Sequence, residues 1–550
     1  MRRFIPVTMM VIASTTIAAV MATRSTSAQS QTCLAVTSVG AVQGLDHTVS
    51  CAFLGIPFAA PPVAGLRWKA PQPAPPWAPN LLPATTAPSS CAQLNAVTGV
   101  TMGSEDCLKL NVWTPNPLPP SGAPVIVWLH PGGFANASAG FAPQNGEALA
   151  ASTGAVIVAP NYRLGPFGFL AHSALATEER GVAGNYGLLD QREALLWVRD
   201  HIAAFGGDPN NVTLGGQSAG AHSVGLHLVS PGSLGLFHRA IMQSGYASFR
   251  WRSMTDGQIQ AAQFAAALGC TSTDPTALLA CLRNKSRDQV LLATPPPLFE
   301  QLSETGRTQW TPIVDGVEIP DQPRYLFEAG AFSHVPVILG PNRDEGWTFV
   351  NRSFPSAVTL DQYAAAVESE FGADAAAVLA AYPGDAFVSP KDALAAVAGD
   401  VEYVCEARRM ARLIESTGTP AFLYLFGHEV VPVAGNRVVH GLEVNFVFGN
   451  NYGPPLFPNY ALGPADLEIA HAMAGYWTRF AMTGSPNTDD PTVVHWSAVT
   501  RREGRGRGTD KYLALQASMQ MGNRLNESLC DFWEPYFFRS ITGAVPAHVN

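Results

Sequence analysis

Asn211 Val212 Thr213 Leu214 Gly215 Gly216 Gln217 Ser218 Ala219 Gly220 reads as a β-branched run that ends in a Gly-x-Ser-x-Gly turn and passes straight into an apolar helical pattern. A sharp reversal between strand and helix needs residues that tolerate close backbone approach, and Gly216 and Gly220 supply them on either side of Ser218. Such a turn lifts the serine hydroxyl off the sheet edge. The N–H of Ala219 falls in the first turn of the helix expected from Ala219 to Val229, where unpaired N–H groups and the positive dipole end can meet a developing oxyanion. A five-residue pattern recurs by chance, so the flanking chain decides whether Ser218 is a nucleophile or an incidental turn residue.

Outward from this turn, strand and helix alternate. Upstream, Leu188, Leu195, Val198, Ile202 and Phe205 fall on one helical stripe that Gly206 and Gly207 stop. Before it, the continuous apolar runs Pro124 to Leu129 and Ala155 to Ala159 read as central strands covered on both faces. Downstream, Arg239 to Gln243, Pro336 to Leu339 and Ala421 to Phe426 are strand-like. The expected architecture is an α/β fold with a mostly parallel central sheet and helices on both faces. A small antiparallel β-meander over Leu34 to Arg67 precedes it, followed by a Pro-rich loop. The Ala-rich stretches Gln258 to Leu268 and Asp361 to Tyr382 read as helical insertions, and Ala465 to Met482 as a last amphipathic helix. There is no internal repeat, so residues 29–550 form a single catalytic domain with insertions in the simplest division.

Composition narrows the function classes. Charged residues are 14% of the chain, against roughly 25% in ordinary soluble domains. The net charge is −9 and the Arg-rich stretch Arg501 to Arg507 is only a local cluster, so nucleic acid is not an expected partner. Arg2 and Arg3 precede an apolar stretch from Phe4 to about Met21, and Thr26 Ser27 Ala28 offers small residues for cleavage, so residues 1–28 read as a signal peptide of a secreted or periplasmic protein. No later segment looks transmembrane, and no stable membrane insertion is expected once the signal is removed. Eight cysteines follow, an even count that in an exported chain points to four disulfides. Zinc would want tighter Cys/His clusters, so no metal is expected, and no cofactor either.

An acyl-transfer serine needs a general base, a group to orient that base, and donors for the tetrahedral oxygen. After the strand Pro124 to Leu129 stands His130 Pro131 Gly132 Gly133 Phe134; Pro131 has no N–H, which leaves Gly132 and Gly133 to converge with Ala219. After Pro336 to Leu339 the chain reads Gly340 Pro341 Asn342 Arg343 Asp344 Glu345 Gly346, and either acid could orient a histidine. Five histidines lie downstream of it. His471 falls in a helix, His495 in a short C-terminal stretch and His548 in the tail. His440 lies in a loop well past the strand Ala421 to Phe426 and is favoured over His428 at the strand end.

At these residues the chain resembles the type-B carboxylesterase and cholinesterase family of α/β-hydrolases, over nearly the whole mature length. The resemblance runs through Phe53 Leu54 Gly55 Ile56 Pro57 Phe58 Ala59, Glu105 Asp106 Cys107 Leu108, Gly184 to Gln191, Phe205 Gly206 Gly207 Asp208 Pro209, the serine turn, Asn342 to Gly346, and His440 Gly441 with Glu443 and Phe446. It implies Ser218 as nucleophile, Glu345 rather than Asp344 as the acid, and His440 as the base. It implies Gly132, Gly133 and Ala219 as oxyanion donors, and Ser244 and Glu443 as support for the histidine. It also implies the bridges Cys91–Cys107, Cys270–Cys281 and Cys405–Cys530, leaving Cys33 with Cys51. Two departures stand at the site: Gln217 where the family usually has Glu, and Pro131 where Gly is common. The stretch from Cys91 to Cys107 has no aromatic to hold choline, which disfavours a choline esterase, and it lacks the large apolar face that the lid of a lipase of this family would need. Gly306 and Thr308, at positions that look like the family's acyl pocket, suggest a roomy one. The expected function is hydrolysis of a small-molecule carboxylic ester through an acyl-enzyme on Ser218. An interfacial lipase is the nearer alternative, and a catalytically silent binding module the more distant one.

Overall fold

The computed structural model describes residues 1, 33–95, 98–119, 122–178, 183–293, 310–430, 437–450, 461–500 and 510–539. The expected signal segment beyond Met1 therefore lies outside the described residues, as do Gly306, Thr308 and His548. Eleven strands form one large sheet. In chain order they are β1 (Leu45–Asp46), β2 (Ser50–Pro57), β3 (Lys109–Pro115), β4 (Ala123–Leu129), β5 (Val156–Pro160), β6 (Gly207–Gln217), β7 (Arg239–Gln243), β8 (Val337–Gly340), β9 (Ala421–Phe426), β10 (Tyr512–Leu515) and β11 (Gln520–Gly522). Across the sheet the order is β11-β10-β9-β8-β7-β6-β4-β5-β3-β2-β1. The strands from β5 to β10 pair in parallel, and antiparallel pairs close both edges.

The pleat explains the apolar runs. All seven residues of β4 are buried, with Val125, Val127 and Leu129 in one core cluster and Ile126 and Trp128 in the other. Helices cover both faces accordingly. Helix α1 (Tyr186–His201) and helix α2 (Ala219–Val229) put Leu188, Leu195, Val198, Val224 and Leu228 into the first cluster. Helix α3 (Pro464–Thr483) puts Ile469, Met473, Tyr476, Trp477 and Phe480 into the second. Because β4, β6, β7, β8 and β9 run the same way, the loops that follow them open at one edge of the sheet.

Several boundaries differ from the sequence reading. Leu34–Thr37 and Gly40–Gln43 pair antiparallel as expected, but their third strand is Leu81–Pro83, in parallel, while Ser50–Pro57 joins the large sheet. The single helix expected over 361–382 breaks at Gly372, whose φ of 50° ends Leu360–Phe371 before Ala375–Ala381 begins. The helix expected from Gln258 starts earlier, at Met254, where Ser253 and Asp256 form a capping box.

Four disulfides join Cys33 to Cys51, Cys91 to Cys107, Cys270 to Cys281 and Cys405 to Cys530. The last ties Cys405–Glu415 to the C-terminal helix Glu527–Arg539 across a separation of 125 residues, the longest loop closed and so the largest entropic restraint on the unfolded chain. No helix among the described residues is long and apolar enough to cross a membrane.

Candidate active site

Ser218 sits where β6 turns into α2, with φ 54° and ψ −124°, a conformation that non-glycine residues rarely adopt. Neighbouring glycines make it possible. A methyl on Gly216 would lie 2.5 Å from the carbonyl carbon of Gly220, one on Gly220 would lie 2.0 Å from the Leu129 oxygen, and one on Gly245 would lie 2.4 Å from the Ser218 oxygen. The Ser218 N–H donates to Gln243 O at 2.9 Å, which pins the turn to β7. The start of α2 is thereby pressed against the end of β4, where the His130–Phe134 loop begins.

In that loop Gly132 and Gly133 have φ of 118° and 59°. A Cβ at Gly132 would meet Asn136 O at 2.1 Å, so only glycine fits. The Gly132 carbonyl accepts from the N–H groups of Ala135 and Asn136, both at 3.0 Å. The N–H groups of Gly132, Gly133 and Ala219 donate in none of the hydrogen bonds among the described residues. His130 is scaffold: its Nδ1 donates to Pro131 O at 2.8 Å, its ring stacks on Tyr162, and burial pulls its pKa down to about 4, so it stays neutral.

Glu345 and His440 are brought together. His440 Nδ1 lies 2.6 Å from Glu345 Oε2, and the other carboxylate oxygen accepts the Asn342 N–H at 2.7 Å. Asp344 is engaged elsewhere, with Arg343 at 3.0 Å and the Val438 N–H at 2.8 Å. His428 has its own carboxylate partner, Asp466 at 2.6 Å. His471 and His495 are exposed. The imidazole of His440 is walled by Phe349 and Tyr403, each ring 5.0 Å away. Tyr403 is carried there by a π-helical turn, Asp400–Val404.

Glu443 makes no direct bond to His440. It accepts from Asn342 Nδ2 and from Gln243 Nε2, while Gln243 Oε1 accepts from Trp477 Nε1 at 2.8 Å. Burial, and then the charge of Glu345, push the Glu443 carboxyl up to about 7. Asn342 thus links both acids, a role the sequence motif contained but did not reveal. The Ser244 hydroxyl is buried with no partner among the described residues; its backbone, at φ 49°, instead donates to Gly340 O at 3.0 Å.

Ser218 and His440 share no hydrogen bond. The far nitrogen of the imidazole, Nε2, meets the carboxamide of Gln217 at 3.2 Å, one residue before the serine. Sequence reading noted Gln217 only as a departure and missed this contact. It also missed an aromatic group beside the same turn: His222, Phe249, Trp251 and Phe134, with Phe249 and Trp251 stacked at 4.5 Å and Phe134 6.2 Å from Trp251. Among the described residues no group of His, Cys, Asp and Glu could hold a metal ion. The arrangement offers a hydroxyl on a strained turn, uncommitted N–H groups near it, and an imidazole backed by a buried carboxylate. The model of the carboxylesterase family matches residues 31–533 of this chain.

Proposed function

The chain belongs to the carboxylesterase family and is a carboxylic ester hydrolase with an α/β-hydrolase fold, and from that premise we propose that it is an exported serine esterase working through an acyl-enzyme on Ser218. The observation that carries this reading is the 2.6 Å contact of His440 with buried Glu345, whose imidazole reaches the residue next to Ser218 with its other nitrogen. His440 takes the Ser218 proton as Oγ attacks the ester carbonyl, and the N–H groups of Gly132, Gly133 and Ala219 receive the oxyanion. Collapse expels the alcohol, which leaves with the proton from His440 Nε2. Water then gives a proton to the same nitrogen and attacks the acyl carbon, releasing the acid and restoring Ser218. Glu345 holds the imidazole in its Nδ1–H form and balances its charge when it is protonated. The apolar segment behind Arg2 and Arg3 supports export, and so do the four disulfides.

The experiment is a saturation curve with p-nitrophenyl butyrate. An esterase gives hyperbolic kinetics wholly below the solubility limit of the substrate. Activity that stays negligible in solution and rises once droplets form would move the reading to an interfacial lipase. The lack of a large apolar lid face between Cys91 and Cys107 supports the first outcome.

A further inference from the structure

Gln217 is buried, and its side-chain nitrogen faces His440 Nε2 at 3.2 Å. An amide NH₂ can only donate, so the ring nitrogen it faces is the unprotonated acceptor. The ring proton then lies on Nδ1, where Glu345 Oε2 accepts it at 2.6 Å. Two independent contacts therefore select one tautomer, the form a general base needs. The ring nitrogen that must take the Ser218 proton is thus already engaged by the carboxamide, so His440 has to exchange Gln217 for Ser218 when the reaction begins.

We propose that Gln217 is a positioning residue that holds His440 as a neutral proton acceptor between turnovers and, by carrying no charge, sets the acid limb of the enzyme's pH–rate profile. This rests on the reading of Ser218 and His440 as nucleophile and base. A carboxylate of the same shape at position 217 would accept from a protonated Nε2 and stabilise the imidazolium, delaying its return to the basic form.

The charged and titratable surroundings of His440 sharpen the argument. Glu345 faces it from the loop after β8 and Glu443 from the helix Glu443–Phe448. The Tyr403 ring packs on it from the π-helical turn, and Tyr246, buried after β7, lies within the field of both glutamates. The Asp344 carboxylate is held by Arg343. Glu345 already places one carboxylate on the imidazole, Glu443, pushed up to about 7, adds a second charge only as the pH rises through neutrality, and the neutral amide at 217 adds none. Gly441 follows His440 at φ 82°, a left-handed backbone that favours glycine, and a methyl there would make only ordinary contact with the Gln217 carboxamide, at 3.7 Å.

The test compares the pH dependence of kcat/KM on a soluble p-nitrophenyl ester for the full chain, Gln217→Glu and Gln217→Met. Gln217→Glu is expected to move the acid limb upward by about one pH unit, while its alkaline plateau stays within about tenfold of the parent. Gln217→Met, which removes the donor without adding charge, is expected to move the limb upward by about half as much. A purely structural glutamine would change rates or stability without moving the limb. Limbs that coincide with the parent in both variants, in protein that still reacts with an organophosphonate at Ser218, overturn the proposal. If instead Ser218 is not the residue labelled, the underlying reading fails, and the two failures are distinct.

Discussion

Ser218→Ala is expected to lower kcat on p-nitrophenyl butyrate by about 10⁴ to 10⁶ with little change in stability. The hydroxyl is the only group on the β6–α2 turn that can form the acyl bond, and it lies at the start of α2 beside the N–H of Ala219. Removing it leaves the oxyanion donors and the binding surface intact, so a small residual rate from positioned water remains. The strained backbone at φ 54° also argues that Ala is tolerated no worse than Ser, since both carry a Cβ. A variant that folds, as judged by its thermal transition, and still turns over within tenfold of the parent would show that the chemistry lies elsewhere.

Glu345→Gln is expected to cost about 10³ to 10⁴ in kcat, whereas Asp344→Asn costs less than about tenfold. Glu345 is fully buried and gives one oxygen to His440 Nδ1 and the other to the Asn342 N–H. An amide in its place must turn one donor toward a donor: either it faces the Asn342 N–H wrongly, or it forces His440 into the tautomer with Nε2–H, which cannot accept the serine proton. Asp344 is a quarter exposed and bonds Arg343 and the Val438 N–H, so its loss loosens the loop before His440 without touching the ring. Steady-state kinetics of the two variants side by side separate the roles; equal losses would contradict them.

How far the sequence reveals this site follows from what each residue depends on. Gly216, Ser218 and Gly220 were legible because a strand-to-helix turn is a local demand, and the structure places the turn where the motif stands. The strands β4, β5, β7, β8 and β9 were legible because residues buried on both faces leave uninterrupted apolar runs. By contrast, the choice between Asp344 and Glu345 is a difference of one position in a turn, and only the resemblance favoured Glu345. In the structure Asp344 bridges to Val439 and its neighbour's guanidinium, while Glu345 points into the core. The paired cysteines likewise came with the resemblance, since spacing alone does not fix connectivity.

What stayed hidden is tertiary. Gln217 and His440 are 223 positions apart, and nothing local says that their side chains meet. Asn342 could be read as a turn residue, but not as the link between Glu345 and Glu443. The short strand Tyr512–Leu515 was missed because four residues give too little periodicity, and its place is set by pairing with β9. Gly372 was passed over inside an Ala-rich stretch because helix propensity outweighed one glycine in the pattern, although its backbone ends the helix.

The most direct measurement is to treat the purified protein with a stoichiometric organophosphonate ester and map the adduct by peptide mass spectrometry. The account expects activity to fall in proportion to labelling, with a single adduct on Ser218 and slow labelling in Glu345→Gln. Full inactivation with the adduct on another residue, or an unlabelled Ser218 in protein that has lost activity, would contradict it.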